Sequence, residues 1–112
     1  MEEKDYVRFP GFQDDPDKRS WNLWGYVDAR DVAQSCRLSL EAALSGAHVF
    51  IIAAADTVMD RPSAELMGEC FPQTELRPLT SPRQTLLSID AAQRVLGYRP
   101  AYSWRDAVLQ KT

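Results

Sequence analysis

The residue types that most often carry catalysis are sparse in this sequence. His48 is the single histidine, and the two cysteines, Cys36 and Cys70, are far apart and outside any CxxC pair. A zinc site needs more imidazole and thiolate ligands than these. A nucleophile beside His48 is not indicated by the position of that histidine at the start of an apolar run. The sequence therefore predicts neither a metal site nor a catalytic site built on His48 or a cysteine.

Glycine-rich turns that bind phosphate are also missing from the sequence. It contains neither a GxGxxG motif nor a P-loop, so no such turn brings backbone N–H groups against a phosphate. We therefore predict that this chain has no complete catalytic site and binds no cofactor by itself.

A dense group of charges follows the aromatic segment 21–27. It consists of Asp28, Arg30 and Asp31. Open α/β sheets place their ligands at the carboxyl ends of strands, and Asp28 is a candidate substrate-binding residue on that ground. A helix cap with a local ion pair accounts for the same pattern, and the sequence leaves both interpretations open.

Three further residues are candidates for substrate binding. Trp24 could stack on a flat ligand, or it could fill a small core as large aromatic side chains commonly do. Arg77 and Arg83 flank a loop bounded by prolines. Either arginine could hold a phosphate or carboxylate, and either could equally be solvated on the surface.

The elements that would position these residues alternate between strand and helix. Residues 21–27 predict a short strand, and Asp31 is expected to cap a helix that Gly46 closes. The continuous apolar run 49–55 is typical of a strand covered on both faces, as in a parallel sheet. Helical spacing predicts one apolar stripe on the first helix, formed by Val32, Cys36, Leu40, Ala43 and Leu44.

The last half of the chain predicts mainly helices. Residues 63–71 form a short helix, and Pro78 limits the segment 74–79 to an edge strand. Asp90 caps a helix that Gly97 ends, and Ser103 begins the final one. Residues 1–20 are rich in charge, proline and glycine and are predicted to be irregular.

Several segments resemble, in order and spacing, the NAD-dependent epimerase/dehydratase family, the extended short-chain dehydrogenases/reductases. Residues 26–33 (YVDARDVA) resemble the family's Y-(I/V)-x-V-x-D-(L/V)-A segment, and residues 46–52 (GAHVFII) resemble the strand that follows it. Residues 90–100 (DAAQRVLGYRP) resemble the D-x-x-K-(A/R)-x-x-L-G-(W/Y)-x-P motif. Residues 63–66 and 103–106 resemble the helices beside these segments.

The resemblance implies a parent with an N-terminal Rossmann domain that binds NAD(P) through a glycine-rich turn and carries a Tyr-x-x-x-Lys pair. Neither motif is present here. Residues 21–112 are therefore interpreted as the C-terminal, substrate-side part of such an enzyme, inactive without the cofactor domain. The expected fold is α/β, a partial Rossmann-like sheet (βαβ) with a small C-terminal α/β substrate-binding lobe. The substrate class that the resemblance implies is a sugar or a nucleotide-sugar-like molecule.

Three positions depart from the family pattern. Trp24 stands where nucleotide-sugar epimerases often have an arginine that contacts substrate phosphates, which argues against a UDP-sugar. Ile51 and Gln93 replace the usual asparagine and lysine. The resemblance leaves open which of Arg77 and Arg83 corresponds to a second phosphate-binding arginine, which of NAD and NADP is used, and whether the reaction is epimerisation, dehydration or reduction.

Composition restricts the partners. The chain has 112 residues and a net charge of −3 without a basic stripe, which disfavours nucleic acid. The longest apolar run, 49–55, is too short to cross a bilayer, and no signal peptide is recognised, so a soluble, cytoplasmic protein is predicted. Without a cofactor domain, the apolar strand and helix stripe should drive self-association into a homo-oligomer. The alternative is a stand-alone small-molecule-binding or oligomerisation module without enzymatic activity.

Overall fold

The computed structural model describes residues 1–109, which form two 3-10 helices and four α-helices joined by extended segments. The 3-10 helices span Glu3–Phe12 and Pro16–Asn22. The α-helices are α1 (Ala29–Glu41), α2 (Ser63–Cys70), α3 (Asp90–Leu96) and α4 (Trp104–Leu109). The helices after residue 60 lie close to their predicted positions.

The predicted sheet is not present. Residues 1–109 contain no strand, and their ladder pairing is limited to one isolated antiparallel bridge between Asp56 and Gln84. Single backbone bonds join neighbouring extended segments, such as Ala54 N to Tyr26 O at 2.8 Å. The prediction of an α/β fold with a partial Rossmann-like βαβ sheet and a small C-terminal α/β lobe is therefore wrong.

The physical reason lies in the apolar run 49–55, where Ala54 and Ala55 make only single backbone bonds and the residues before them make none within the described part of the chain. No hydrogen bond from residues 1–107 involves a backbone N–H or C=O group of residues 48–52. A strand is stable only when neighbouring strands satisfy these groups, and two strands alone are marginal. The prediction of a strand covered on both faces at 49–55 is wrong, because the described part of the chain supplies no partner strand and leaves Val49 and Ile51 exposed.

The N-terminal segment, predicted to be irregular, forms the two 3-10 helices and contributes to the main core. Tyr6 and Phe9 have relative exposures of 2% and 0%. The centroid of the Phe9 ring lies 5.3 Å from the centroids of both Tyr26 and Trp104. Such aromatic contacts add to the stabilisation that comes from burying the rings. The first 3-10 helix thus packs against α4 and the segment before α1.

A second, smaller core lies around α3. It is built from Ala53, Ile89, Ala92, Leu96 and Tyr98, all buried. The Tyr98 hydroxyl donates to the Ala53 carbonyl at 2.9 Å, so the buried phenol is satisfied and the end of the apolar run is attached to α3. Gly97 ends this helix as predicted, with a φ of 73° in the left-handed region that favours glycine.

The start and orientation of α1 differ from the prediction. Asp28, rather than Asp31, caps the helix, since its carboxylate accepts from Arg30 N at 2.8 Å. Asp31 and Ser35 form the buried face. Asp31 accepts from the backbone N–H groups of Ala101 and Tyr102 at 3.0 and 3.1 Å, which turns this polar face inward.

The apolar stripe of α1 therefore lies on the surface. Leu40 is 88% exposed, Val32 is 38% exposed, and Cys36 is exposed. Beyond the helix, Val49 and Ile51 are 92% and 48% exposed. We call these five residues the exposed apolar surface. The prediction of an apolar stripe was sound, but residues 1–107 do not cover it.

We predict that Phe9→Ala lowers the free energy of unfolding by about 3–5 kcal/mol, the range typical of a buried aromatic side chain truncated to alanine. Urea unfolding followed by tryptophan fluorescence measures this change. Val7→Ala is the matched control, because Val7 lies in the same 3-10 helix and is 64% exposed. Its effect should stay within about 0.5 kcal/mol. Equal effects of the two substitutions would contradict a core role for this segment.

Candidate functional site

A cleft of about 800 Å³ opens between the loop 74–81 and the segment 84–90. This volume is within the range of small-molecule sites in proteins. Aliphatic residues from both segments line it, together with hydroxyl and amide side chains. The uncharged polar residues of the lining that are not buried are Thr74, Thr80, Ser81, Gln84, Ser88 and Gln93.

Two of these residues order the loop across the cleft. Gln84 Oε1 accepts from the Thr80 backbone N–H at 2.7 Å and from the Thr80 hydroxyl at 2.9 Å. The other wall is held more firmly, because Thr85 N donates to Ala55 O at 2.8 Å and the Ser63 hydroxyl donates to Gln84 O at 2.7 Å. No motif identified Thr80 or Gln84 from the sequence, since their role depends on the path of the loop.

Of the four substrate-binding candidates, only Arg77 lines this cleft. Its side chain is exposed, and it shares the lining with the carboxylates of Glu75 and Asp90. Arg83 is exposed and lies outside the lining, where its Nε donates to the Asp60 carbonyl. The loop therefore brings one of the two predicted arginines to the cleft and directs the other toward the segment before α2.

Trp24 is a core residue in this structure. It has an exposure of 0%, and its indole Nε1 donates to the Pro16 carbonyl at 2.8 Å. Its ring also makes an edge contact with Phe71, at a centroid distance of 6.2 Å. A buried indole with its only donor satisfied cannot stack on a ligand, so the structure favours the core interpretation of this residue.

Asp28 is buried, and both of its carboxylate oxygens are engaged within the chain. Arg30 Nε donates to Oδ1 and Arg30 Nη2 donates to Oδ2, each at 2.9 Å. The Tyr6 hydroxyl also donates to Oδ2. The hydrogen bonds from Arg30 hold the pKa of Asp28 well below its usual range, although burial acts in the opposite direction. This geometry matches the helix cap with an ion pair and leaves no oxygen directed at a ligand.

A polar network that sequence reasoning missed joins α4 to the extended segment before α2. The hydroxyls of Tyr26 and Ser103 each donate to Asp56 at 2.6 Å, and Arg105 Nε lies 3.3 Å from Asp56 Oδ2. Burial, followed by the charge of Asp56, raises the pKa of Tyr26. These contacts attach α4 to the core, and the raised pKa holds the Tyr26 phenol in its neutral form.

The described residues do not fit the NAD(P) that the family resemblance implies for a full-length parent. A dinucleotide phosphate is bound where a glycine-rich turn opens a helix. Here α1, α2 and α3 are preceded by Asp28, Pro62 and Ile89. In addition, no three His, Cys, Asp or Glu residues of the described chain are grouped so as to hold a metal ion. None of its helices is both long and apolar enough to span a membrane.

Comparison of the chain with protein-family models, with curated proteins and with solved structures finds no match. The similarity to the epimerase/dehydratase family therefore depends on the short segments identified in the sequence.

We predict that Asp28→Asn destabilises the fold at neutral pH by about 1–3 kcal/mol, since an amide has one acceptor oxygen and leaves a buried partner unsatisfied. The folded-state pKa of Asp28 is below its unfolded value. The carboxylate therefore stabilises the fold above about pH 4, and this contribution is lost as the pH falls through the folded-state pKa. Urea unfolding between neutral and acidic pH measures both effects.

The difference in stability between the native chain and Asp28→Asn should shrink as the pH falls. Asp14→Asn is the control, because Asp14 is exposed and its substitution should leave the pH profile unchanged. A constant difference at all pH values would contradict the assigned role of the carboxylate.

Proposed function

We propose that this chain is the substrate-side part of an NAD(P)-dependent epimerase/dehydratase acting on a sugar-like substrate, and that it is catalytically inactive unless a cofactor-binding domain packs against it. The cleft between residues 74–81 and 84–90 is the proposed substrate site. The cofactor domain supplies the glycine-rich turn and the Tyr-x-x-x-Lys pair that this sequence lacks.

The observation that carries the proposal is the exposed apolar surface. Val32, Leu40 and Val49 are large apolar side chains left in contact with solvent. Val32, Cys36 and Leu40 follow one another at four-residue spacing on one face of α1, and an apolar patch on a protein surface marks a site of interaction with another protein element. The charged residues Arg37 and Glu41 pair with each other at 3.1 Å on the same helix, as expected of the helix's solvated side.

The backbone beside this surface also supports the proposal. The N–H and C=O groups of residues 48–52 have no hydrogen-bond partner among residues 1–107. Phe50 and Ile52 pack inward on the α3 core, whereas Val49 and Ile51 are exposed. An extended segment with one face packed and its polar backbone groups unpaired is suited to hydrogen bond with the edge of another sheet. The cofactor domain implied by the resemblance has such a sheet.

A second candidate is a stand-alone binding module without enzymatic activity. It is favoured by the cleft, because one wall of the cleft is bonded to the core through Thr85 and Ala55. The coding sequence adjoining the Met1 codon separates the two candidates. An in-frame glycine-rich turn and Tyr-x-x-x-Lys pair would support the enzyme, whereas a stop codon and ribosome-binding site there would favour the module.

We predict that the isolated chain neither binds nor uses NAD(P). Titration with NADH and NADPH, followed by nucleotide fluorescence, should show no saturable binding, and no turnover of sugars or sugar nucleotides should be detected. The chain joined to its cofactor domain is the positive control and should do both. Full turnover by the isolated chain would refute the proposal.

We also predict that the isolated chain self-associates through the exposed apolar surface, and that Leu40→Lys shifts it toward monomer. Sedimentation velocity over a range of concentrations measures this equilibrium. Gln73→Lys adds the same charge at an exposed position outside that surface and should leave association unchanged. A native chain that stays monomeric at high concentration would contradict the assigned role of the surface.

A further inference from the structure

We propose that the cleft binds an uncharged, polyhydroxylated small molecule, such as a free sugar, rather than a nucleotide sugar. This inference rests on the proposed function, because it names the substrate class of that same cleft.

The charges of the lining do not suit a diphosphate. Arg77 is its single cation, and Glu75 and Asp90 are its two carboxylates. Asp90 is paired with Arg94 at 2.8 Å, so Arg77 and Glu75 remain and offset each other. Phosphate recognition relies on several charge-assisted donors, commonly from arginine. A cleft without excess positive charge favours a ligand without phosphate.

The lining also lacks a platform for a nucleobase. It includes no Trp, Tyr, Phe or His among the described residues. Bases bound by proteins are commonly stacked on aromatic rings. Trp24, the tryptophan that could have served this purpose, is fully buried. The cleft therefore offers neither excess positive charge for the diphosphate of a nucleotide sugar nor an aromatic ring for its base.

The polar groups that the cleft does offer are suited to hydroxyl groups. The side chains of Thr74, Ser81, Ser88 and Gln93 make no hydrogen bond with residues 1–107. Hydroxyl and amide groups both donate and accept, as sugar hydroxyls do. The aliphatic side chains of Leu76 and Leu86 line the same space and can cover the C–H surface of a sugar. Apolar walls with a few polar groups that fix orientation are the usual design of a small-molecule site.

Saturation-transfer NMR of the purified chain with glucose, galactose and mannose, and separately with UDP and inorganic phosphate, tests the inference. We expect transfer to at least one sugar, with an affinity that is unchanged between low and high salt, because screening acts on charged ligands. We expect no transfer to UDP. Inorganic phosphate has no carbon-bound protons that could report transfer, so it is tested by competition. We expect that it does not displace the sugar.

Two variants locate the binding. Ser88→Trp places a large ring in the cleft at an exposed position and should weaken sugar binding at least about tenfold. Ser45→Trp makes the same change at an exposed position outside the lining and should leave the affinity within about twofold. The circular dichroism spectrum of each variant verifies its fold.

The inference is overturned if no sugar binds, if UDP or phosphate binds in preference to every sugar, or if Ser88→Trp and Ser45→Trp have equal effects. These outcomes concern the substrate class alone. The proposed function fails on different grounds, namely turnover by the isolated chain or the absence of association through the exposed apolar surface.

Discussion

The start of α1 is the junction on which the rest of this fold depends. Asp28 caps the helix and accepts from Tyr6, and so attaches the first 3-10 helix to it. One turn later, Asp31 accepts from the backbone of residues 101 and 102, and so attaches the segment before α4. A buried carboxylate is costly unless it is fully hydrogen-bonded. Both are, and each holds together parts of the chain that lie far apart in sequence.

The same junction explains why the apolar stripe of α1 faces outward. A helix can present only one face to the interior, and here the face with Asp31 and Ser35 is the one that is buried. Burying Leu40 instead would leave the N–H groups of residues 101 and 102 without acceptors. A hydrogen bond to a charged group contributes about 1.5–3 kcal/mol, comparable to the gain from burying one leucine side chain. Because Asp31 accepts two such hydrogen bonds, these polar contacts determine the orientation of α1. The apolar side of the helix is left for another surface to cover.

The sequence predicted local features of this fold better than its long-range ones. Helical spacing located α2 and α3, and glycine chemistry correctly ended α3 at Gly97. These outcomes depend on neighbouring residues alone. The sheet was wrong because a strand depends on partners elsewhere, and the apolar content of 49–55 reveals only a suitability for pairing. The orientation of α1 also depends on a distant contact, since the hydrogen bond from Ala101 N to Asp31 joins residues 70 positions apart.

The roles of the candidate residues also depended on long-range contacts that the sequence does not reveal. Asp28 and Trp24 were each given a structural and a functional interpretation, and burial together with satisfied donors and acceptors favours the structural one. Arg77 and Arg83 were indistinguishable in sequence because both flank the same proline-bounded loop. The path of that loop brings Arg77 to the cleft and leaves Arg83 outside it. The cleft residues Thr80 and Gln84 belong to no sequence motif.

The two walls of the cleft differ in how they are attached, and this bears on how a ligand would be held. Segment 84–90 is bonded through Thr85 to Ala55, whose neighbour Ala54 is bonded to Tyr26, so this wall is continuous with the main core. The opposite loop, 74–81, consists largely of exposed residues and is joined across the cleft by the contacts of Thr80 with Gln84. Exposed loops with few anchoring contacts open at low free-energy cost. A ligand that bridges both walls must order this loop, and part of its binding energy is spent on doing so. Affinity in the cleft therefore depends on the Thr80–Gln84 contact as well as on the groups that touch the ligand.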